Sequence, residues 1–497
     1  MKDANASLHL PKRDRWIAYA LLLALAYFPL FMNLDALPLR TWDESRQAVS
    51  AYEMLHNGNW FVNHVGGRPD MWSTKPPLLV WLQAIGMALI GPGELAVRLP
   101  SAISALFICL LLVRFTSKQL GSPWPGLFAS LVILTSHGFV NMHVARSGDY
   151  DALLTLFMLW AAISAFRYAD DGSRNAVLSM FAALALGVLT KSIQAVMMVP
   201  GIIIWWIAAK RLLPALKDRW FWIGLVGFAI LVGGFYLLRE SRNPGYLLAV
   251  WENDMGGRYG HVHDGHRANG FFYIDNLQQD RFPLWYLWSI AGAVIGMAGK
   301  DAMLRRIAGF STLLSVQYLL VISNAATKLD WYDAPLYPLL GILAAIPIHL
   351  LFAWCRESAW LKERLNANVA SWTLMACLFF TPYLNIAKET YIPKEYDWDR
   401  DFYALQRYLQ QGAHGKRTVD VGVVCYEAYD AHVLFYTYLL TERGQTMEIL
   451  PKEHLKPGMK VVASEQHVKD HIEQHYMHSV TLDEPPVKVY SIEGVKP

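Results

Sequence analysis

The stretch APLYPLLGILAAIPIHLLFA, residues Ala334–Ala353, decides the fold class of this chain. It contains no Asp, Glu, Lys or Arg, and about twenty predominantly apolar residues suffice for a helix to cross the hydrocarbon core of a bilayer. Similar apolar runs recur through the first four-fifths of the chain. The sequence therefore predicts a polytopic α-helical membrane protein with about 11–13 membrane helices.

The composition agrees with a membrane protein. Of the 497 residues, 54% are hydrophobic and only 17% are charged, whereas soluble proteins carry about 25% charged residues. The net charge of +3 is too small to indicate nucleic-acid binding. The four cysteines show no CxxC spacing, so we expect neither a disulfide framework nor a cysteine metal site.

The hydropathy pattern predicts eleven spans, and the first is interpreted as a retained helix because no small-residue cleavage site follows it. A further apolar run, residues 77–91, is short and follows a Pro-Pro pair. The predicted spans are 16–34, 99–116, 124–141, 152–168, 176–190, 195–209, 220–238, 283–298, 307–323, 334–353 and 369–385.

The basic residues predict the orientation, since cytoplasmic loops are enriched in Lys and Arg. Alternate loops are basic only if 77–91 lies in the interface instead of crossing, so we predict an interfacial helix there. The N-terminus is then cytoplasmic and the C-terminus extracytoplasmic. The basic residues are Lys12, Arg13, Arg15, Lys118, Arg167, Arg174, Lys210, Arg211, Lys217, Arg219, Lys300, Arg305, Arg306, Arg356, Lys362 and Arg364.

The composition changes near Ala387, where the chain becomes more polar. Strand-like runs at Val419–Cys425, Lys460–Ala463 and Lys488–Ile492 alternate with helical patterns. We therefore predict a small extracytoplasmic α/β domain over 387–497. It follows a membrane catalytic domain over 1–386, whose outer loops are 35–98 and 239–281.

The first outer loop carries two candidate groups. Asp43 and Glu44 are adjacent carboxylates that can act on an acceptor hydroxyl or bind a metal, and Arg46 lies one helical turn from Asp43. Lys75 precedes the Pro-Pro pair, where an ammonium can reach a lipid phosphate. The alternatives are a surface salt bridge for Arg46 and an ordinary snorkelling lysine for Lys75.

Other candidates lie in the later outer segments. Arg146, Asp149 and Asp151 fall between two spans, and ionisable residues at such positions are functional by default. The Asp-Tyr-Asp spacing can supply a divalent cation, or Asp151 can cap a helix beside an Arg146–Asp149 pair. Lys191 and Lys328 also fall at span ends. Trp331 fits an aromatic belt equally well, and Tyr332 fits one less well.

The loop 239–281 contains Arg258, His261, His263 and His266 among several glycines. The histidine spacing permits a zinc site, but the glycines favour a flexible segment that contacts substrate or phosphate. Taken together, the outer segments combine cations, which bind a phosphate leaving group, with carboxylates, which handle an acceptor proton. This set is suited to displacing a lipid phosphate from a sugar.

The motifs resemble those of the polyprenyl-phosphate-dependent glycosyltransferases of the GT-C fold, in particular the lipid A aminoarabinose transferase and protein O-mannosyltransferase group. They occur in the family's order over residues 1–340. Three positions depart from the aminoarabinose pattern: Gln47, Thr74 and Asp330. The matching runs are Asp43-Glu44-x-Arg46, Lys75-Pro76-Pro77-Leu78, Ala96–Ser101, Asp151–Thr155, Leu189-Thr190-Lys191 and Lys328-Leu329-x-Trp331-Tyr332-x-x-Pro335-Leu336-Tyr337-Pro338.

This resemblance implies an inverting transfer from an undecaprenyl-phosphate sugar to a lipid A, glycan or protein acceptor at a bacterial inner membrane. Asp43 is the implied catalytic carboxylate. The implied ligands of the donor phosphate are Arg46, Lys75, Lys191, Arg258 and Tyr332. No cofactor is implied with certainty, and a divalent cation on Asp43, Asp149 or Asp151 is left open.

Two other functions remain open from the residues alone. A transporter or flippase for a lipid-linked saccharide is one, although transporters place polar residues near the bilayer midplane in repeated, broken helices. A structural membrane subunit with an outer domain is the other, and it leaves the paired carboxylates unexplained.

Overall fold

The computed structural model describes residues 12–141, 143–255, 269–364 and 366–497. The chain divides into two compact units. The membrane unit comprises the described residues of Met1–Met32, Met71–Leu79 and Pro100–Tyr391. The α/β unit comprises Asn33–Asp70, Val80–Leu99 and Ile392–Pro497.

The helices up to residue 391, numbered along the chain, dominate the structure. They are α1 Lys12–Phe31, α2 Asp43–Asn57, α3 Leu78–Ile90, α4 Glu94–Gln119, α5 Trp124–Leu134, α6 His137–Val140, α7 Asp151–Asp171, α8 Arg174–Lys191, α9 Val199–Ala208, α10 Leu212–Lys217, α11 Arg219–Arg242, α12 Tyr246–Val250, α13 Phe272–Asn276, α14 Pro283–Ala298, α15 Ala302–Ser323, α16 Tyr337–Glu357, α17 Ala359–Arg364 and α18 Ala367–Tyr391.

Eight helical segments of the described residues are long and apolar enough to cross a membrane. The other three predicted spans correspond to the shorter apolar helices α5, α9 and α14. The run 77–91 forms α3, whose 13 residues are too few for a crossing at 1.5 Å per residue. The eight are Arg13–Phe31, Glu94–Gln119, Asp151–Asp171, Arg174–Val196, Arg219–Arg242, Ala302–Ser323, Asp330–Glu357 and Ala367–Tyr391.

The predicted span 124–141 is interrupted in the structure. Helix α5 ends at Leu134, and α6 begins at His137. Between them, the hydroxyl of Thr135 donates to Leu131 O at 2.7 Å and that of Ser136 donates to Val132 O at 2.6 Å. Irregular backbone at membrane depth is tolerated where it is buried in protein, and both residues are buried.

Close helix packing in the membrane unit depends on a small residue in α14. A Cβ added at Gly292 would lie 1.8 Å from the carbonyl oxygen of Leu343 in α16. Gly292 therefore allows the two backbones to touch, which is how small residues strengthen helix association without a hydrophobic driving force. Alanine at this position requires the helices to separate.

The α/β unit is built on a five-stranded sheet of order β4-β3-β5-β7-β6. Strand β3 runs parallel to β4 and β5, and β7 is antiparallel to β5 and β6. A two-stranded ribbon, β1 His64–Val65 and β2 Arg68–Pro69, lies in the same unit. The remaining elements are α19 Asp397–Arg400, α20 Ala404–Ala413, β3 Val423–Cys425, α21 Ala431–Glu442, β4 Glu448–Leu450, β5 Lys460–Ala463, α22 Gln466–His475, β6 Tyr476–Glu484 and β7 Val487–Val495.

The α/β unit includes part of the first outer loop, which the sequence analysis places in the membrane domain. Helix α2 packs on α21, where Tyr52 donates to Glu442 at 2.8 Å. Tyr438 of α21 donates to Glu53 of α2, also at 2.8 Å. These contacts join residues almost 400 positions apart, so no local pattern reveals them. The three predicted strand-like runs overlap β3, β5 and β7, whereas α21, β4 and β6 were not predicted.

Candidate functional site

A buried ion pair joins two of the predicted site residues in the membrane unit. The Lys191 ammonium lies 2.6 and 2.7 Å from the two carboxylate oxygens of Asp151. Helices α7 and α8 are joined by a tight turn in which Gly172 has φ 65°. Two antiparallel helices of similar length place the start of the first, Asp151, beside the end of the second, Lys191. Both charges also suit the helix dipoles at those ends.

A small cavity of about 50 Å³ begins at this ion pair and is lined by Lys191 and Lys75. The Lys191 ammonium is 5.3 Å from the centre of the Tyr332 ring, and the Lys75 ammonium is 5.5 Å from that of Tyr150. Both distances are within cation–π range. The two ammonium groups at this cavity can bind an anionic group. Its other polar lining residues are Ser192, Gln194, Asp254, Tyr318 and Thr327.

The segment that carries Lys75 is fixed by residues following α11. The hydroxyl of Tyr246 donates to the carbonyl of Thr74 at 2.6 Å, and the amide of Asn253 donates to the carbonyl of Met71 at 3.2 Å. Lys75 is 8% exposed, so its ammonium is held away from bulk water. The snorkelling alternative predicts a solvated ammonium and fits this position poorly.

The segment that carries Tyr332 is fixed by a buried network. Residues Asp330–Leu336 form a 3₁₀ helix, and Tyr318 donates to the Tyr332 carbonyl at 3.0 Å. The Tyr337 hydroxyl donates to one carboxylate oxygen of Asp333 at 3.0 Å, and Arg281 Nε lies 3.8 Å from the other carboxylate oxygen. Sequence reasoning missed Arg281 and Asp333. The only signal for Asp333 was its position directly after the Trp-Tyr pair.

Lys328 and Trp331 have other partners in the same region. The Lys328 ammonium donates to the carbonyl of Ala325 at 2.7 Å, so it serves the turn that precedes the 3₁₀ helix. The ring of Trp331 stacks on His143 with centroids 3.6 Å apart and planes at 15°. The aromatic-belt reading of Trp331 is therefore replaced by a specific contact inside the protein.

The loop between α6 and α7 carries three polar residues: His143, Arg146 and Asp149. His143 Nδ1 lies 3.0 Å from a carboxylate oxygen of Asp149. The Arg146 guanidinium donates to the carbonyls of Pro29 and Met32, at 3.3 and 2.8 Å. Arg146 thus satisfies carbonyls at the C-terminal end of α1, where a helix leaves acceptors without partners.

The carboxylate of Asp151 does not fit a metal ligand. Both of its oxygens accept hydrogen bonds from Lys191, so a divalent cation would have to displace a buried ammonium. Asp151 is better described as the carboxylate partner of the buried Lys191 ammonium.

Three predicted residues lie in the α/β unit. Asp43 is the first residue of α2 and is half-buried. Glu44 is buried and accepts hydrogen bonds from Arg98 at 2.7 and 3.0 Å. Arg46 forms a bidentate pair with Asp70 at 2.6 and 2.7 Å. The sequence suggests Asp43 as the partner of Arg46, but in the structure the Arg46 guanidinium pairs with Asp70.

In both Arg46 and Tyr429, burial and neighbouring charges shift the pKa in opposite directions. Burial alone would lower the pKa of the Arg46 guanidinium, but the hydrogen bonds and charge of Asp70 outweigh it and raise that pKa. Burial raises the pKa of the Tyr429 phenol to about 12. Arg46 is therefore charged and Tyr429 neutral at any physiological pH.

We expect Glu44 to be structural, because Arg98 also donates to the carbonyls of Leu34, Leu37 and Pro38. Glu44→Ala leaves a buried guanidinium without its counter-charge and should destabilise the protein by about 3–5 kcal/mol. Thermal unfolding of the purified protein measures this. The exposed Arg443→Ala control should change stability by less than about 0.5 kcal/mol. A Glu44→Ala protein of normal stability but without activity would instead return Glu44 to the catalytic candidates.

The remaining predicted residues, Arg258, His261, His263 and His266, lie outside the described residues. The zinc and flexible-segment readings of that loop therefore stay predictions.

Comparison with known proteins places this geometry in context. Residues 74–235 match the family described as dolichyl-phosphate-mannose-protein mannosyltransferase. The undecaprenyl phosphate-alpha-4-amino-4-deoxy-L-arabinose arabinosyl transferase of Edwardsiella ictaluri is 28% identical over 66% of this chain and 58% of its own length. The protein of the same name from Aeromonas salmonicida is 27% identical over 71% of this chain and 63% of its own length. The chain thus spans about three-fifths of the length of these curated relatives.

A solved structure covers nearly the whole chain. The crystal structure of ArnT from Cupriavidus metallidurans bound to undecaprenyl phosphate has a TM-score of 0.70 at 16% identity, covering 96% of this chain and 97% of that one. The fold expected from the sequence is confirmed: this is a multi-pass membrane protein of GT-C type with a small C-terminal α/β region. The resemblance to the aminoarabinose transferase group is confirmed with it.

Proposed function

We propose that this chain, a multi-pass membrane protein with the GT-C fold, transfers a sugar from a polyprenyl-phosphate donor to an acceptor. One observation carries the proposal: two buried lysines, Lys75 and Lys191, line the same cavity. Uncompensated buried cations are costly. In the part of the chain that the structure describes, Lys191 is paired with Asp151, whereas the Lys75 ammonium lies over the ring of Tyr150. A phosphate entering the cavity supplies negative charge to both ammonium groups.

The proposed reaction is a single displacement at the anomeric carbon. The bond between that carbon and the phosphate oxygen breaks, and both electrons leave with the polyprenyl phosphate. An acceptor oxygen or nitrogen forms the new bond from the opposite side, which inverts the configuration. The Asp43 carboxylate takes the acceptor proton as general base.

The cations act chiefly on the leaving group. Its negative charge grows as the bond breaks, so fixed ammonium groups stabilise the transition state more than the bound donor. Asp151 accepts two hydrogen bonds from the Lys191 ammonium and so positions it at the cavity. Tyr332 covers the same ammonium from its ring face. Arg46 and Arg258 stay predicted phosphate ligands. Because Arg46 is paired with Asp70, it must release that carboxylate before it can bind the phosphate.

The experiment that tests this function uses purified protein and an undecaprenyl-phosphate sugar with an acceptor extract. We expect release of undecaprenyl phosphate together with a labelled acceptor. The names of the relatives support a polyprenyl-phosphate donor. The assay identifies which sugar is transferred and whether the acceptor is lipid A, a glycan or a protein. Movement of the intact donor across liposomes without release would instead identify a flippase.

The proposed location is the bacterial inner membrane, with the N-terminus cytoplasmic and the α/β unit outside. A reporter enzyme that is active only outside the cytoplasm should be active when fused after Pro497. The same reporter should be silent when inserted at Lys217, in a loop predicted to be cytoplasmic. The reverse pattern would contradict the orientation and the outer-face site.

A further inference from the structure

An aromatic pair in the α/β unit is unexplained by the proposed donor site. Trp42, directly before α2, stacks on Tyr429 with ring centroids 4.6 Å apart and planes at 11°. Tyr429 lies between β3 and α21, 387 positions later in the chain. Trp42 is nevertheless 56% exposed, so an indole that is immobilised on one side remains open to solvent.

The backbone at Trp42 is held in an unfavourable conformation. Its φ is 66°, a region that bulky side chains rarely adopt. Residues held in such regions cluster at active sites and ligand-binding positions, because the surrounding structure must enforce them. Trp42 also immediately precedes Asp43, the proposed general base, so the position of the indole and that of the carboxylate are covalently linked.

The pair is supported from within the same unit. The Arg46 guanidinium lies 5.8 Å from the centre of the Tyr429 ring, and its bidentate pairing with Asp70 fixes its orientation. Planar bidentate pairs constrain both partners in geometry as well as in energy. The Tyr429 ring is thus held in place, and the indole of Trp42 stacks on it.

Carboxylates lie close to the aromatic pair. Asp430, the next residue after Tyr429, lines an open cavity of about 560 Å³ and lies near the Arg46 guanidinium. Glu427 lines the same cavity, but its carboxylate already accepts hydrogen bonds from Lys452 and His467. Carboxylate oxygens accept hydrogen bonds from hydroxyl groups. Ligand sites characteristically combine aromatic walls with a few such polar groups that fix orientation.

We propose that Trp42, stacked on Tyr429, binds the pyranose ring of a sugar substrate, with the Asp430 carboxylate accepting hydrogen bonds from its hydroxyl groups. The weakly positive C–H hydrogens on one face of a pyranose complement the negative face of an indole. This inference rests on the proposed function and deepens it, since it places a sugar subsite next to the proposed base. The sugar belongs either to the acceptor or to the donor.

Saturation-transfer NMR on the full chain in nanodiscs tests the subsite with methyl glucopyranoside, methyl galactopyranoside and methyl arabinopyranoside as separate probes. We expect at least one probe to bind, with saturation concentrated on the C–H hydrogens of one face. Trp42→Gly relieves the positive φ and should preserve folding, yet reduce the signal several-fold. Tyr429→Leu should have a similar effect, whereas Trp60→Ala, a partly exposed tryptophan elsewhere in the unit, should have none.

Two outcomes overturn the proposal: no binding of any probe by the wild type, or equal signals from the wild type and Trp42→Gly. A purely structural role for Trp42 predicts the second, because glycine satisfies that backbone conformation. Kinetics then identify the source of the sugar. Trp42→Gly should raise the KM for the acceptor about tenfold if the acceptor ring binds there, and the KM for the donor if the donor ring does. Probe binding without any sugar transfer would reject the proposed function while leaving the subsite standing.

Discussion

Replacement of Lys191 by methionine should reduce turnover by roughly 10²–10³, the loss found when one fixed donor to a developing anion is removed. Methionine retains much of the side-chain length and flexibility but carries no charge. The reason for the loss is specific to the cavity: Lys191 and Lys75 are the two lysines that line it. Single-turnover transfer at saturating donor measures the chemical step directly.

A difficulty arises from Asp151, whose two oxygens both accept from Lys191. Lys191→Met leaves this buried carboxylate unpaired, which alone costs about 3–5 kcal/mol of stability. The double variant Lys191→Met/Asp151→Asn removes both charges and should recover most of that stability without recovering activity. The exposed Lys217→Met serves as the control with normal turnover. Wild-type turnover in a stable double variant would contradict the role of Lys191.

Asp43→Asn should abolish detectable transfer, with a loss on the order of 10²–10⁴ if Asp43 is the general base. Asparagine keeps the size and some hydrogen bonding of the side chain but cannot accept the proton. Donor binding should change far less, because the proposed donor ligands are cations. Single-turnover transfer and donor affinity, measured on the same preparation, separate the two effects.

Two comparisons make the assignment of Asp43 decisive. Asp35→Asn changes an exposed carboxylate of the same loop and should leave transfer unchanged. Asp151→Asn should be milder than Asp43→Asn, because Asp151 acts through Lys191. An active Asp43→Asn enzyme beside an inactive Asp151→Asn enzyme would move the catalytic role to the loop before α7.

The sequence alone predicted the features that depend on local composition. A helix must satisfy its own backbone hydrogen bonds in lipid, so apolar length is sufficient to predict most spans. For the run that forms α3, the alternation of basic loops predicted an interfacial helix. The motif residues Lys75, Lys191 and Tyr332 were found because charged and aromatic groups at span ends are uncommon and occur in a characteristic order. Their convergence on one cavity is a tertiary feature, because the segments that carry Lys75 and Tyr332 are held by contacts from residues distant in the chain or on another helix.

The tertiary structure decided how each charge is used. Four charged candidates form three ion pairs that no spacing rule suggests. Glu44 pairs with Arg98, Arg46 pairs with Asp70, and the candidates Lys191 and Asp151 pair with each other. Arg46 and Asp70 are 24 positions apart, and Lys191 and Asp151 are 40 apart, so only folding brings them together. The stacking of Trp42 on Tyr429 spans 387 positions. A charge or a ring in a sequence shows what a residue can do. A buried ion, however, pairs with the counter-charge that the packed fold places next to it, because leaving it unpaired costs several kcal/mol.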